Sequence, residues 1–222
     1  MVAIETLSMK VTEQLGQLIQ GSVIANDELT IEVHADHIHE VCLILRDAPA
    51  LDFKLLADVC GVDYLHYGID EWATESTTNT GFERGVDESA IKNHKPVPLR
   101  YGVVYHLLSL SQNHRIRIRV RLEETNPTIT SVIHLWPAAN WYEREAFDLF
   151  GIQFVGHPDL RRLLTDYGFA GHPFRKDFPL IGKVEPRYDA ATRRVVYEPV
   201  SIQPRILEPK VIRDDTRYER GE

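Results

Sequence analysis

The sequence predicts an α+β fold, a mixed sheet with helices packed on one face, followed by an extended C-terminal tail that wraps a partner. Three observations predict it. Apolar residues recur at helical spacing in early segments, period-two alternation marks later ones, and prolines at 186, 199, 204 and 209 interrupt everything after Leu180. At 222 residues and 43% hydrophobic, the chain can close one sizeable core and still carry an extension.

The elements follow in chain order. Met9 to Gln20 places Val11, Leu15, Leu18 and Ile19 at helical spacing, with Gly21 as a stop. Glu28 to Val33, ELTIEV, alternates as a strand. Ala35 to Asp47 reads as a helix opened by Asp36, with Ile38, Val41, Cys42 and Leu45 on one face and Pro49 just beyond its end. DFKLLADVC, from Asp52, reads as a second short helix ending at Gly61, and VDYLHYG as a strand. Two longer strands follow, Leu99 to Leu110 and His114 to Glu124. In the second, Ile116, Ile118, Val120 and Leu122 take one face and Arg115, Arg117, Arg119 and Arg121 the other. Between residues 68 and 98 the sequence is polar, acidic and without a sustained period, as expected of a surface insertion. The expected organisation is therefore a globular domain over residues 1–150, interrupted at 68–98, and a docking segment with a tail over 151–222.

Charge supports that division. Residues 1–150 hold 12 Lys and Arg against 22 Asp and Glu, whereas residues 151–222 hold 13 against 11. The total of −8 and the lack of stacking aromatics beside the arginine row argue against nucleic acid, and neighbouring acids are the expected partners of that row. No run reaches the roughly 18 apolar residues of a membrane span, and Met1 to Gln20 lacks a basic start with a continuous apolar stretch, so a cytosolic or cytosol-facing chain is expected. The two cysteines, Cys42 and Cys60, make neither a CxxC pair nor a four-ligand set. No GxGxxG, Walker, GxSxG or HExxH motif occurs, and the histidines of HADHIH, residues 34–39, suit helix-start chemistry better than a metal.

Trp136 to Gly151 carries more. As a helix it groups Ala139, Tyr142, Ala146, Leu149 and Phe150 on one face, with Arg144, Glu145 and Asp148 opposite and Arg144 spaced to pair with Asp148. Glu143 falls inside the apolar arc. It is either a functional acid or, with Asn140 three residues earlier, half of a capping box. Downstream, Gly-His-Pro occurs twice, around His157 and His172. Glycine and proline hold each imidazole in a turn, which suits a ligand and a hydrogen-bonded turn equally. Zinc would need two further ligands, and Asp159 and Asp177 could orient the imidazoles, yet no nucleophile adjoins either. Arg161, Arg162, Arg175 and Lys176 supply many donors for a carboxylate-bearing partner, so the preferred reading is an ordered docking surface.

These residues also carry a likeness. YEREAFDLFGIQFVGHPDLRRLLTDYGFAGHPFRKDFPL resembles, without a gap, the signature of the respiratory complex I 30 kDa subunit family. The matches include Glu143, Arg144, Glu145, Asp148, His157, Arg161, His172, Arg175, Lys176 and Asp177, and the likeness extends over most of the chain except the 68–98 insertion. The resemblance implies a peripheral-arm subunit of a proton-translocating NADH:quinone oxidoreductase, with no catalytic, cofactor or metal site on the chain itself. It implies FMN and iron–sulfur clusters in partner subunits, and contact with the large quinone-site subunit and the small subunit that holds the terminal cluster. Attachment to the cytoplasmic side of the bacterial inner membrane would then come through the complex. Two alternatives stay open: the equivalent subunit of a related membrane-bound dehydrogenase or hydrogenase, and an independent enzyme using His157 and His172.

Overall fold

A computed structural model describes residues 2–69 and 97–202. Most of the 68–98 insertion and the tail beyond residue 202 lie outside the described residues. The chain divides into two compact units, one of residues 1–65 with 96–178 and the other of residues 66–95 with 179–222.

The first unit opens with helix α1, Val2–Leu15, whose Leu7, Val11 and Leu15 are buried. Gly16, at φ +52, ends it, and one 3₁₀ turn leads into strand β1, Ile19–Ala25. The expected helix through Gln20 with Gly21 as its stop is thus corrected. β1 is an outer strand with mostly exposed residues, so it has no alternation to read. Asn26 and Asp27, both at positive φ, turn it back onto β2, Glu28–Val33, as a two-residue hairpin.

After one 3₁₀ turn over Ala35–His37, helix α2 runs Ile38–Asp47 and buries Ile38, Val41, Cys42 and Leu45. His34 caps this start by accepting the Asp36 N–H, so its imidazole serves the backbone. Residues Leu55–Asp63 then form strand β3, where a helix had been expected. A bulge between Leu56 and Asp58 inserts one residue, so the buried Leu56 and Val59 fall three apart and imitate a helical period. Strands β4, Tyr101–Ser109, and β5, His114–Leu122, complete a sheet of order β1-β2-β5-β4-β3, antiparallel except for β2 with β5.

The alternation in β5 works as expected. Ile116, Ile118, Val120 and Leu122 join one core with residues of α1 and α2. On the other face Arg117 pairs with Glu28, Arg119 with Glu32, and Arg121 lies 3.4 Å from the centre of the Tyr64 ring. Strand β6, Thr128–Thr130, helix α3, Ala139–Phe150, and strand β7, Gln153–Val155, follow; β6 and β7 pair in parallel and so fix both ends of α3. Ala139 and Ala146 of α3, with Ile152 and Phe154 beyond it, belong to the same core.

In the second unit, β8, Val184–Asp189, and β9, Arg194–Pro199, form an antiparallel hairpin. None of residues 179–202 is buried, and Val184, Tyr188, Val195 and Tyr197 are exposed on the hairpin.

Candidate functional site

Helix α3 organises most of the candidate residues, directly or through one neighbour, while Lys176 and Asp177 are held by Asp63 and Arg100. A helix leaves its last four carbonyls without partners, and here all of them are taken. The Gly151 N–H binds the Phe147 carbonyl at 2.8 Å and the Phe174 N–H binds that of Leu149 at 3.1 Å. His172 Nδ1–H donates to the Asp148 carbonyl at 2.8 Å, and Arg175 Nε donates to the Phe150 carbonyl at 2.7 Å. The second Gly-His-Pro stretch is therefore a cap on the helix C-terminus, where a cation is also favoured by the helix dipole. Burial, ahead of the two nearby arginines, lowers the His172 pKa, which suits a neutral ring.

Gly151, at φ +78, makes this cap possible. A Cβ there would meet Arg175 Nη2 at 2.3 Å and His172 Nε2 at 2.7 Å, in a backbone conformation that L-residues avoid. Gly151→Ala is expected to cost about 2 kcal/mol or more by expelling one of the two caps. Thermal denaturation of the variant checks this, and an unchanged midpoint would refute it.

The first stretch grips the other end. His157 Nδ1 accepts the Asp159 N–H at 3.1 Å, which leaves Nε2–H to donate to the Asn140 carbonyl at 3.3 Å. Asn140 and Asp148 are eight residues apart, about 12 Å along the axis. The two imidazoles thus bind opposite ends of one helix and do not converge on a common ligand. Their expected carboxylate partners are engaged elsewhere: Asp159 with Arg161 at 2.9 Å, and Asp177 with Arg100 at 3.1 Å.

Asp148 is fully buried, which corrects its expected place on the polar face opposite the apolar arc. Its Oδ2 accepts the N–H groups of Leu163, Leu164 and Thr165, at 3.0, 2.7 and 2.9 Å. Its Oδ1 takes the Thr165 hydroxyl and Arg162 Nη1, the latter at 2.9 Å. Burial would raise its pKa, but the Thr165 hydroxyl and the three amides prevail and hold it down at about 2. Arg144 does not pair with it. Arg144 Nε and Nη2 donate to the carbonyls of Arg161 and Arg162, at 3.1 and 3.2 Å. Arg162 Nη2 reaches the Gly171 carbonyl at 2.9 Å and so ties the two stretches together.

Glu143 is buried as its place in the apolar arc implies, but no capping box forms. The helix begins at Ala139, and Ala138 offers no side-chain cap. The carboxylate accepts instead from the Ser131 hydroxyl at 2.6 Å and the Val132 N–H at 2.8 Å. Burial outweighs these bonds and pushes its pKa up to about 7. Glu145 is half-buried; its charge contributes, behind burial and Asp58, to a Cys60 thiol pushed up to about 12.

Sequence reasoning missed the pair that seats the second stretch on the sheet. Arg100 and Asp63 form a buried bidentate ion pair at 2.9 and 2.8 Å. Arg100 also binds Glu124 and Asp177, while Asp63 accepts the Lys176 N–H at 2.8 Å. The Lys176 side chain is exposed. No local pattern marks this pair, because Asp63 ends β3, Arg100 precedes β4, and the insertion separates them. Between these fixings the segment turns Leu164, Tyr167 and Phe174 outward, Tyr167 at 91% exposure. Among the described residues, no group of three or more His, Cys, Asp or Glu side chains is placed to hold a metal ion.

Comparison with known proteins adds the following. The family described as respiratory-chain NADH dehydrogenase, 30 Kd subunit, matches residues 31–184. One NADH-quinone oxidoreductase subunit, from Coxiella burnetii, is 60% identical, covering 98% of this chain and 96% of that one. The subunit of the same name from Legionella pneumophila is 54% identical, covering 96% of this chain and 94% of that one. A chain in the solved membrane-bound sulfane sulfur reductase, an archaeal respiratory membrane complex, is similar in fold. It has a TM-score of 0.56 at 21% identity, over 80% of this chain and 86% of that one.

Proposed function

The chain belongs to the family of the 30 kDa subunit of respiratory-chain NADH dehydrogenase, and from that premise we propose that it braces and docks the quinone-reducing module without a redox group of its own. It is a subunit of NADH-quinone oxidoreductase, complex I, and the activity it serves is that of the whole assembly. Among the described residues no helix is long and apolar enough to cross a membrane. In this reading the chain sits on the cytoplasmic side of the bacterial inner membrane, held there by other subunits. FMN and the iron–sulfur clusters lie in those subunits. Its neighbours are the large quinone-site subunit and the small subunit that holds the terminal cluster, while residues 151–222 form most of the contact.

One observation carries the proposal. Residues 156–178 contain no helix or strand, yet their turns are hung from α3 by His157, Arg144, Asp148, Arg162, His172 and Arg175. An irregular segment held this firmly, with Leu164, Tyr167 and Phe174 outward, is a surface prepared for cover. Among the proposed docking residues, Arg161 and Lys176 are exposed and able to meet partner carboxylates, whereas Glu143, Asp148 and His172 act by shaping the segment.

The test is the variant Leu164→Asp with Tyr167→Asp, expressed in the source organism. The chain is expected to remain folded while intact complex and NADH:quinone activity in detergent-solubilised membranes fall together, by tenfold or more. Normal complex abundance with activity lost would instead place these residues in the chemistry.

A further inference from the structure

Three titratable side chains from three elements meet beneath α3: Cys42 of α2, Tyr105 of β4 and Glu143 of α3, each fully buried. Glu143 receives the Ser131 hydroxyl and the Val132 N–H, both neutral donors. Ser131 Oγ is in turn fixed by the Ile133 N–H at 3.2 Å. Asp63 and Asp148 each keep a guanidinium, but among the described residues no cation acts on Glu143. The hydroxyl of Tyr105 is buried without a hydrogen-bond partner. Burial and the Glu143 charge both hold Cys42 and Tyr105 in their neutral forms. Both neighbours are acids, so neither can compensate a negative charge there.

A buried carboxylate with only neutral donors is costly in its charged form, and a proton removes that cost. The bonds from Ser131 and Val132 favour the charged form but are outweighed by burial, and they tie Glu143 to the stretch that joins β6 to the approach of α3. We propose that Glu143 is a proton-operated latch: protonated, it seats residues 131–133 against α3, and deprotonated, it loosens that seat and with it the helix from which the 156–178 segment hangs. The latch concerns the folding of this chain and not the identity of its partners, so its test is independent of the docking reading.

The direction follows from linkage. The Glu143 carboxyl titrates at about 7 in the fold, raised from the ordinary 4.5. Its stabilising contribution is therefore full below the ordinary value, falls as pH rises toward 7, and stays lost above it. Denaturant unfolding of the full chain between about pH 5 and 8 should show the folding constant of wild type falling on the order of a hundredfold relative to Glu143→Gln. Glutamine keeps the shape and the acceptor for Val132 but carries no charge. Parallel pH curves for the two chains would overturn the latch. Should the variant fail to fold, carbon NMR of the wild-type Glu143 carboxyl decides: a midpoint near neutrality supports the latch, and one below pH 5 overturns it.

Discussion

Replacing Arg100 with alanine is expected to lower folding stability by about 3–5 kcal/mol, the cost of leaving a buried carboxylate without its cation. Asp63 is buried and bidentate to Arg100, and burial alone would raise its pKa. Arg100, followed by the Lys176 and Leu65 amides, lowers it, so the charged form depends mainly on that guanidinium. The effect extends to the 156–178 segment, since Lys176 is tied to Asp63 and Asp177 to Arg100. Changing both members, Arg100→Met with Asp63→Leu, is expected to recover part of the loss by removing the stranded charge. Denaturant midpoints of the two variants check this. A loss under about 1 kcal/mol for the single change would show that water reaches Asp63.

The second large effect belongs to Asp148. Asparagine has one acceptor oxygen and points an NH₂ group where donors already converge, so Asp148→Asn strands at least part of the set formed by Arg162, Thr165 and three amides. A loss of about 2–4 kcal/mol is expected, with proteolytic cleavage appearing first near residues 161–166. The carboxyl titrates at about 2 in the fold, below the ordinary 3.8. Its stabilising contribution is thus present above the ordinary value and is lost as pH falls through 2, an amplitude of about 2 kcal/mol that the variant should lack. Limited proteolysis and acid titration of both chains decide it, and an acid limb unchanged in the variant would contradict the assignment.

The two acids on α3 show what sequence could and could not reveal. Glu143 stood out because it broke an apolar arc, and the same arithmetic correctly buried its neighbours Ala139 and Ala146. Its partners, Ser131 and Val132, come from a loop that only the tertiary fold brings near, so a local capping box was the natural but mistaken expectation. Asp148 met the same limit, since a charged residue at i,i+4 from Arg144 suggests a surface pair until a later segment covers it. In the sheet, β5 was legible because one face is buried and the other charged. β3 and β1 were not, the first because a bulge altered its period and the second because exposure left it without one. The two histidines were rightly seen as fixed by their turns; what they grip, the carbonyls of Asn140 and Asp148, has no sequence signal.

In the proposed function, α3 and its clamps hold residues 156–178 ready for another subunit to cover. The most direct measurement is a side-chain-resolution structure of the intact assembly purified from its own membranes. Leu164, Tyr167 and Phe174 are expected to be buried there against a neighbouring subunit, with His172 and Arg175 still on the end of α3. Those three side chains facing solvent in the complete assembly would contradict it.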